Sequence, residues 1–212
     1  VTNILILGGH GKVALLLAPL LVARGDTVTS VIRDPAHADE VAATGATPLV
    51  LDLERDPDLA EAFGGIDAIV WSAGAGGGSA ARTYAVDRDA AIRSMDAAER
   101  ARVHRYIMVS WIGSSPDHGV HSDNPFYAYA DAKLAADDHL RASALNWTIL
   151  GPGTLTLDPP TGRIEIDPEG DGRVPRADVA AVIAASLADD RTVGRFIRFG
   201  SGDTPIADAL SG

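Results

Sequence analysis

An apolar run, Asn3-Ile4-Leu5-Ile6-Leu7, leads directly into Gly8-Gly9-His10-Gly11 and then into Lys12-Val13-Ala14-Leu15-Leu16. A run this short and this apolar reads as a buried parallel strand. The glycines permit a sharp turn and a close approach of backbone to a ligand. The helix that follows aims its free N–H groups and the positive end of its dipole at that turn, where a pyrophosphate is well accommodated.

The alternation continues. Strands are expected at Thr27–Ile32, Thr47–Leu51, Ala68–Trp71, Arg105–Val109 and Trp147–Leu150. Helices are expected at Lys12–Arg24, Pro35–Ala43, near Asp56–Ala62, at Tyr84–Arg102 and at Phe126–Ser143. Gly25 and Gly45 stop the first two helices. Strands separated by helices imply right-handed crossovers and a parallel sheet. The tail adds a strand at Arg163–Ile166, a helix near Ala177–Ala188 and a strand near Phe196–Phe199. The expected fold is α/β, a doubly wound parallel sheet. Residues 1–212 form one domain, in which 151–212 is a small elaboration on the substrate side.

Composition narrows the function. The net charge of −11 disfavours non-specific nucleic-acid binding, so no nucleic-acid partner is expected. The absence of cysteine excludes disulfides, thiol catalysis and thiolate metal sites. No basic segment precedes the first strand and no run approaches the roughly 18 apolar residues that span a membrane, so a cytoplasmic protein with no membrane partner is expected. His118 and His121 lack companion carboxylates at ligand spacing, so they read as solvated loop histidines and no metal is expected. Only Lys12 and Lys133 are lysines among the 18 basic residues, which singles out both positions.

Ligands on such folds bind beyond the carboxyl ends of the strands. Gly8–Lys12, Arg33, Asp52, Ser72–Gly74, Ser110 and Gly151–Gly153 all follow strands and should open on one edge. Gly8, Gly9, His10, Gly11, Lys12 and Val13 make up the candidate phosphate-binding turn. Arg33 ends the second strand, where a guanidinium can bind a phosphate through paired N–H groups, and Lys12 can add a second cation. These favour NADP over NAD. Asp34 offers the acidic residue that an NAD site uses for the ribose hydroxyls, and it also reads as a cap for the helix that begins at Pro35. Asp52 and Leu53 can meet the adenine, although Asp52 also suits a turn. Ser72, Ala73 and Gly74 supply small residues where the cofactor would run.

The candidate catalytic pair is Tyr129-x-x-x-Lys133. Residues four apart share a helix face. With four tyrosines in the chain, this spacing arises by chance only about 0.04 times. A phenol has an ordinary pKa near 10, and a neighbouring ammonium favours the phenolate. Lowering that pKa by about three units takes roughly 4 kcal/mol of differential stabilisation. The phenol would then exchange a proton with a substrate hydroxyl or carbonyl. Ser110 ends the fifth strand, where its hydroxyl can bond the reacting oxygen.

With these residues in place the chain resembles the short-chain dehydrogenase/reductase superfamily, most closely its atypical, NmrA-like or epimerase/dehydratase-like members. The marks are Gly8-x-x-Gly11-x-x-Ala14, Val31-Ile32-Arg33-Asp34-Pro35, Asp52-Leu53, Ser110, Tyr129-x-x-x-Lys133, Gly151-Pro152-Gly153, Arg176-Ala177-Asp178-Val179-Ala180 and Gly202-Asp203-Thr204-Pro205-Ile206. The resemblance implies a Rossmann-type fold and a catalytic set. Tyr129 would be the acid/base, Lys133 would hold the nicotinamide ribose and tune Tyr129, and Ser110 would orient substrate. Asp87 would stand at the fourth position, where many members carry Asn. Pro152 and Gly153 would lie against the cofactor. Gly151 stands where relatives often have Arg, a change expected to enlarge or neutralise the substrate side.

The expected activity is an NADP-dependent oxidoreductase or an epimerase/dehydratase acting on a small organic substrate, in a monomer or homodimer. The alternatives are a catalytically quiet NAD(P)-binding sensor, or a flavin or quinone reductase.

Overall fold

The computed structural model describes residues 1–55, 59 and 61–212. The first six strands form where the apolar runs place them: β1 (Asn3–Leu7), β2 (Thr27–Ile32), β3 (Thr47–Val50), β4 (Ala68–Trp71), β5 (Arg105–Val109) and β6 (Asn146–Pro152). Between them lie α1 (Lys12–Ala23), a 3₁₀ turn at Pro35–His37 that continues as α2 (Ala38–Ala42), then α3 (Ala80–Thr83), a π-helical segment (Tyr84–Ala90), α4 (Ala91–Ala101) and α5 (Tyr127–Ala142). The tail contributes β7 (Leu155–Thr156), β8 (Arg163–Ile166), β9 (Val174–Pro175), α6 (Arg176–Leu187), β10 (Arg195–Ser201), β11 (Thr204–Pro205) and α7 (Ile206–Leu210). The helix expected near Asp56–Ala62 falls mostly outside the described residues, which show only a 3₁₀ turn at Glu61–Phe63.

Nine strands form the main sheet in the order β11-β8-β10-β6-β5-β4-β1-β2-β3. From β3 to β10 all neighbours are parallel, and β8 and β11 then close the far side in antiparallel pairs. β1 pairs with β2 on one side and β4 on the other, so the chain reverses its direction of travel across the sheet at β1. That reversal opens a crevice at the carboxyl ends of β1 and β4.

The apolar β1 run is explained by burial on both faces. Ile4 and Ile6 enter one core with Leu17 and Leu21 of α1 and Val182 and Ile183 of α6. Leu5 and Leu7 enter the other with Met95 of α4 and Leu140 of α5. Along α1 the buried residues Val13, Ala14, Leu17, Ala18 and Leu21 follow the three-and-four spacing of one helical face.

The long helix after β4 departs from its expected form. It starts earlier, at Ala80, where Ser79 Oγ accepts from the Arg82 N–H at 3.3 Å. Its Tyr84–Ala90 stretch is wound as a π-helix, a form that recurs at functional sites. It ends at Arg102 in the left-handed region, φ 60°.

Both outermost strands carry a proline. Leu51 N–H donates to Ile32 O, so donors facing β2 fall at odd positions and Pro48 lies on the outward side. Likewise Ile206 N–H donates to Gly162 O, which turns Pro205 of β11 outward. No helix among the described residues is long and apolar enough to cross a membrane.

Candidate functional site

A cleft of about 280 Å³ opens at the β1–β4 crevice. Of the residues expected there from sequence it brings together Gly8, His10, Gly11, Arg33, Asp52, Leu53, Ser72, Ala73 and Gly74. Gly8 has φ +86°, and a Cβ on it would overlap the backbone of Ala73, so the turn after β1 touches the loop after β4 only because this residue is glycine. Gly9 has a packing role. Its N–H donates to Val31 O at 2.7 Å, and a Cβ would overlap Ser30 of β2. Val13 likewise lies in the α1 core face. No side chain caps α1 and no acidic residue stands in its first turn, while Lys12 is exposed at its first position. An open, uncapped helix start beside a backbone-lined cradle is suited to a pyrophosphate.

At the cleft mouth, Arg33 Nη1 lies 3.0 Å from Glu54 Oε1, and Arg82 Nη2 lies 3.3 Å from the same oxygen. Arg82 also donates to Ala75 O at 2.7 Å. Asp34 caps the 3₁₀ turn, its Oδ1 accepting from Ala36 N at 2.9 Å. Asp34 thus serves as the cap, and it lines the cleft beside Arg33 at the end of β2. Asp52 lines the cleft and also makes the turn expected of it, accepting from Glu54 N at 3.0 Å. His10 stacks on His37 with ring centroids 3.6 Å apart, and its Nε2 lies 2.7 Å from Glu40 Oε2. Sequence reasoning missed Glu54, Arg82 and His37. Glu54 had a visible signal, since it lies two residues past the end-of-strand Asp52.

The catalytic candidates lie further along the same sheet edge, after β5 and on α5. Lys133 is fully buried, and its Nζ donates to Val109 O at 2.8 Å and contacts Met108 Sδ at 3.3 Å. Burial pulls its pKa down, against the opposing pull of Asp137 and Asp87. Ser110 is buried and donates to Asp137 Oδ2 at 2.5 Å, and Ser114 donates to the same oxygen at 2.6 Å. Asp137 was not anticipated, yet it follows Lys133 by one helical turn and so was within reach of the same spacing argument.

Tyr129 is half-buried, with its ring 5.0 Å from that of Phe126, which in turn meets Trp111 at 5.1 Å. Burial, then Asp87 and Asp137, push the phenol pKa up. Lys133 is not among the groups that shift the phenol. The ammonium is tied to the β5 backbone, and burial is the largest cause of the Tyr129 shift. Asp87 sits on the π segment. Its Oδ2 accepts from Ala75 N at 3.0 Å, and a Cβ on Gly74 would come 3.2 Å from its Oδ1. Burial raises its pKa while Lys133 opposes the shift.

Gly151 does not open the substrate side as expected. The space is filled by Phe196, whose ring a Cβ on Gly151 would overlap and which lies between Arg141 and Arg198. Pro152 and Gly153 are buried. Pro152 O accepts from Ile112 N, Gly153 N donates to Phe199 O, and Gly153 packs against the backbone at Asp171–Gly172. His118 bonds the Val120 N–H and His121 pairs with Asp123. Among the described residues no cluster of three or more metal-ligating side chains occurs.

A family model described as NAD(P)H-binding matches residues 8–190. The chain is 34% identical to an uncharacterized sugar epimerase, YhfK, of Bacillus subtilis, over 98% of both chains. A candidate NAD-dependent epimerase/dehydratase of Bacillus halodurans superposes with a TM-score of 0.93 at 33% identity, covering 100% of this chain and 99% of that one. The oxidoreductase ylbE of Lactococcus lactis superposes with a TM-score of 0.88 at 29% identity, covering 99% and 95%.

Proposed function

The chain belongs to the NAD(P)H-binding family, in the atypical short-chain dehydrogenase/reductase group, and on that premise we propose that it is an NADP(H)-dependent oxidoreductase or epimerase acting on a carbonyl or secondary alcohol of a small organic molecule. The observation that carries the reading is the shared sheet edge. The uncapped start of α1, the Gly8–Ala73 contact and Arg33 gather around one cleft, and Ser110 and the Tyr129/Lys133 helix follow along the same edge.

The chain's own groups divide the work. Backbone N–H groups at the start of α1, at Lys12 and Val13, would hold the pyrophosphate, while the Gly11 N–H closes the turn on Gly8 O. Arg33 and Lys12 supply positive charge for a 2′-phosphate, and one oxygen of Asp34 is already engaged by the Ala36 N–H of its cap. When bound, the nicotinamide ring supplies or accepts the hydride. Tyr129, with its phenol held protonated, donates a hydrogen bond to the reacting oxygen and polarises it. Lys133 holds the end of β5 against α5 and places positive charge beside the two buried carboxylates.

Titrating the purified protein with NADPH and with NADH, read by nucleotide fluorescence, tests the cofactor assignment. Tighter binding of NADPH is expected, and equal affinities would overturn the role of Arg33. A panel of carbonyl, quinone and flavin acceptors, followed at the NADPH absorbance, tests for chemistry. NADPH binding with no acceptor reduced would overturn the enzymatic reading.

A further inference from the structure

Among the described residues, Asp137 is the only carboxylate withdrawn entirely from solvent with one oxygen unpartnered. Oδ2 takes both available hydroxyls, Ser110 at 2.5 Å and Ser114 at 2.6 Å. Oδ1 is buried without a donor. An anionic oxygen left unpaired in the interior is costly, whereas the carbonyl oxygen of a neutral carboxyl is much less so. Lys133 and Arg141 face Asp137 from its own helix and favour the carboxylate. Asp87, on the π segment, draws on the same Lys133 charge. The two serines come from the loop after β5, and Tyr129 lies two turns back along α5.

We propose that Asp137 is the proton reservoir of this site, exchanging one proton with the reacting oxygen of the substrate through the hydroxyl of Ser110. The proposal rests on the oxidoreductase reading above and specifies where its proton resides. With Asp137 neutral, its Oδ2–H donates to Ser110 Oγ, and Ser110 is free to donate to a carbonyl oxygen. As that oxygen becomes an alkoxide, the Ser110 O–H bond breaks and a substrate O–H bond forms. The Asp137 O–H bond then breaks and Ser110 regains its hydrogen. One negative charge has moved from substrate to Asp137, where Lys133 faces it. In the oxidising direction each transfer reverses. The phenol of Tyr129 need not ionise in either direction. Ser110 thus presents a donor to a carbonyl when Asp137 is protonated and an acceptor to an alcohol when it is not.

Infrared spectra across pH 5 to 9 and the reduction of 9,10-phenanthrenequinone by NADPH test this together. The expected spectrum has a protonated-carboxyl band that Asp137→Asn removes and Asp87→Asn leaves in place. The expected kcat falls on the alkaline side. Asp137→Asn lowers kcat at least about tenfold and flattens that limb while leaving NADPH affinity unchanged. Tyr129→Phe keeps the limb. Ser114→Ala, which strips one donor from the carboxylate, moves both the limb and the band's titration to higher pH. A spectrum with no band sensitive to Asp137→Asn, or a variant with the wild-type pH profile, overturns the relay. Should Asp137→Asn fail to fold, an unmoved limb in Ser114→Ala overturns it equally. Wild-type protein that binds no NADPH overturns the oxidoreductase reading instead, and the relay with it. NADPH binding with quinone turnover insensitive to Asp137 overturns the relay alone.

Discussion

Arg33 reaches across the cleft mouth to Glu54, Nη1 to Oε1 at 3.0 Å, so the guanidinium assigned to the cofactor phosphate already has an anionic partner. The Arg33 side chain is 58% exposed, which keeps the pair weak enough for a dianionic phosphate to displace. Glu54→Gln should therefore tighten NADPH binding by about three- to tenfold, roughly 1 kcal/mol, with little change for NADH. Arg33→Ala should erase the preference. Paired fluorescence titrations of both nucleotides check the two variants, and an unchanged NADPH-to-NADH ratio in both would remove Arg33 from phosphate recognition.

Gly8→Ala should abolish nucleotide binding and lower stability by about 1–3 kcal/mol. The residue sits at φ +86°, and its new methyl group would occupy the backbone of Ala73. Chemical denaturation together with NADPH titration measures both effects. A variant that binds normally would show that the turn does not form the phosphate cradle.

Tyr129→Phe should leave NADPH affinity intact and reduce carbonyl turnover by about ten- to a hundredfold, the loss of one donor to the reacting oxygen. Steady-state kinetics beside a nucleotide titration separates the two. Unchanged turnover would favour direct transfer to a flavin or quinone without help from the phenol.

Asp87 carries a raised pKa because it is buried. Above the ordinary carboxylate pKa of about 4, the folded protein retains a proton that the unfolded chain has lost. Stability from this group is therefore fully present below that value and declines as pH rises toward the folded pKa. Asp87→Asn should make thermal stability fall less steeply with pH across that window. Melting temperatures from pH 4 upward check it, and parallel slopes in wild type and variant would contradict the assignment.

Gly151→Ala should cost about 1–3 kcal/mol, because the methyl group must displace the Phe196 ring from between Arg141 and Arg198. Urea denaturation measures it, and a neutral result would show that the ring has room to move.

The parallel sheet was legible because its signal is local. Each short apolar run, such as Ala68–Trp71, is buried on both faces and needs no distant information to be read as a strand. The glycine turn was legible for the same reason. What escaped was set by tertiary neighbours. Nothing local in Tyr84–Ala90 announces π winding. The antiparallel return of β8 and β11 depends on how the tail folds back on β10. Gly151 was misread as an opening because Phe196, which fills the space, lies 45 positions away in the chain. The burial of Tyr129 was also beyond local reading. Spacing along α5 identified Lys133, but the strand backbone that ties up its ammonium belongs to another element. Asp137 lay one turn beyond a pair already singled out, and its importance appears only once Ser110 and Ser114 arrive from the loop after β5.

The outward placement of Pro48 and Pro205 has a consequence for self-association. An incoming chain seeking to lengthen the ribbon would find, at either border, a ring nitrogen with no hydrogen to offer. Lateral growth by strand addition is thereby blunted at both termini of the sheet.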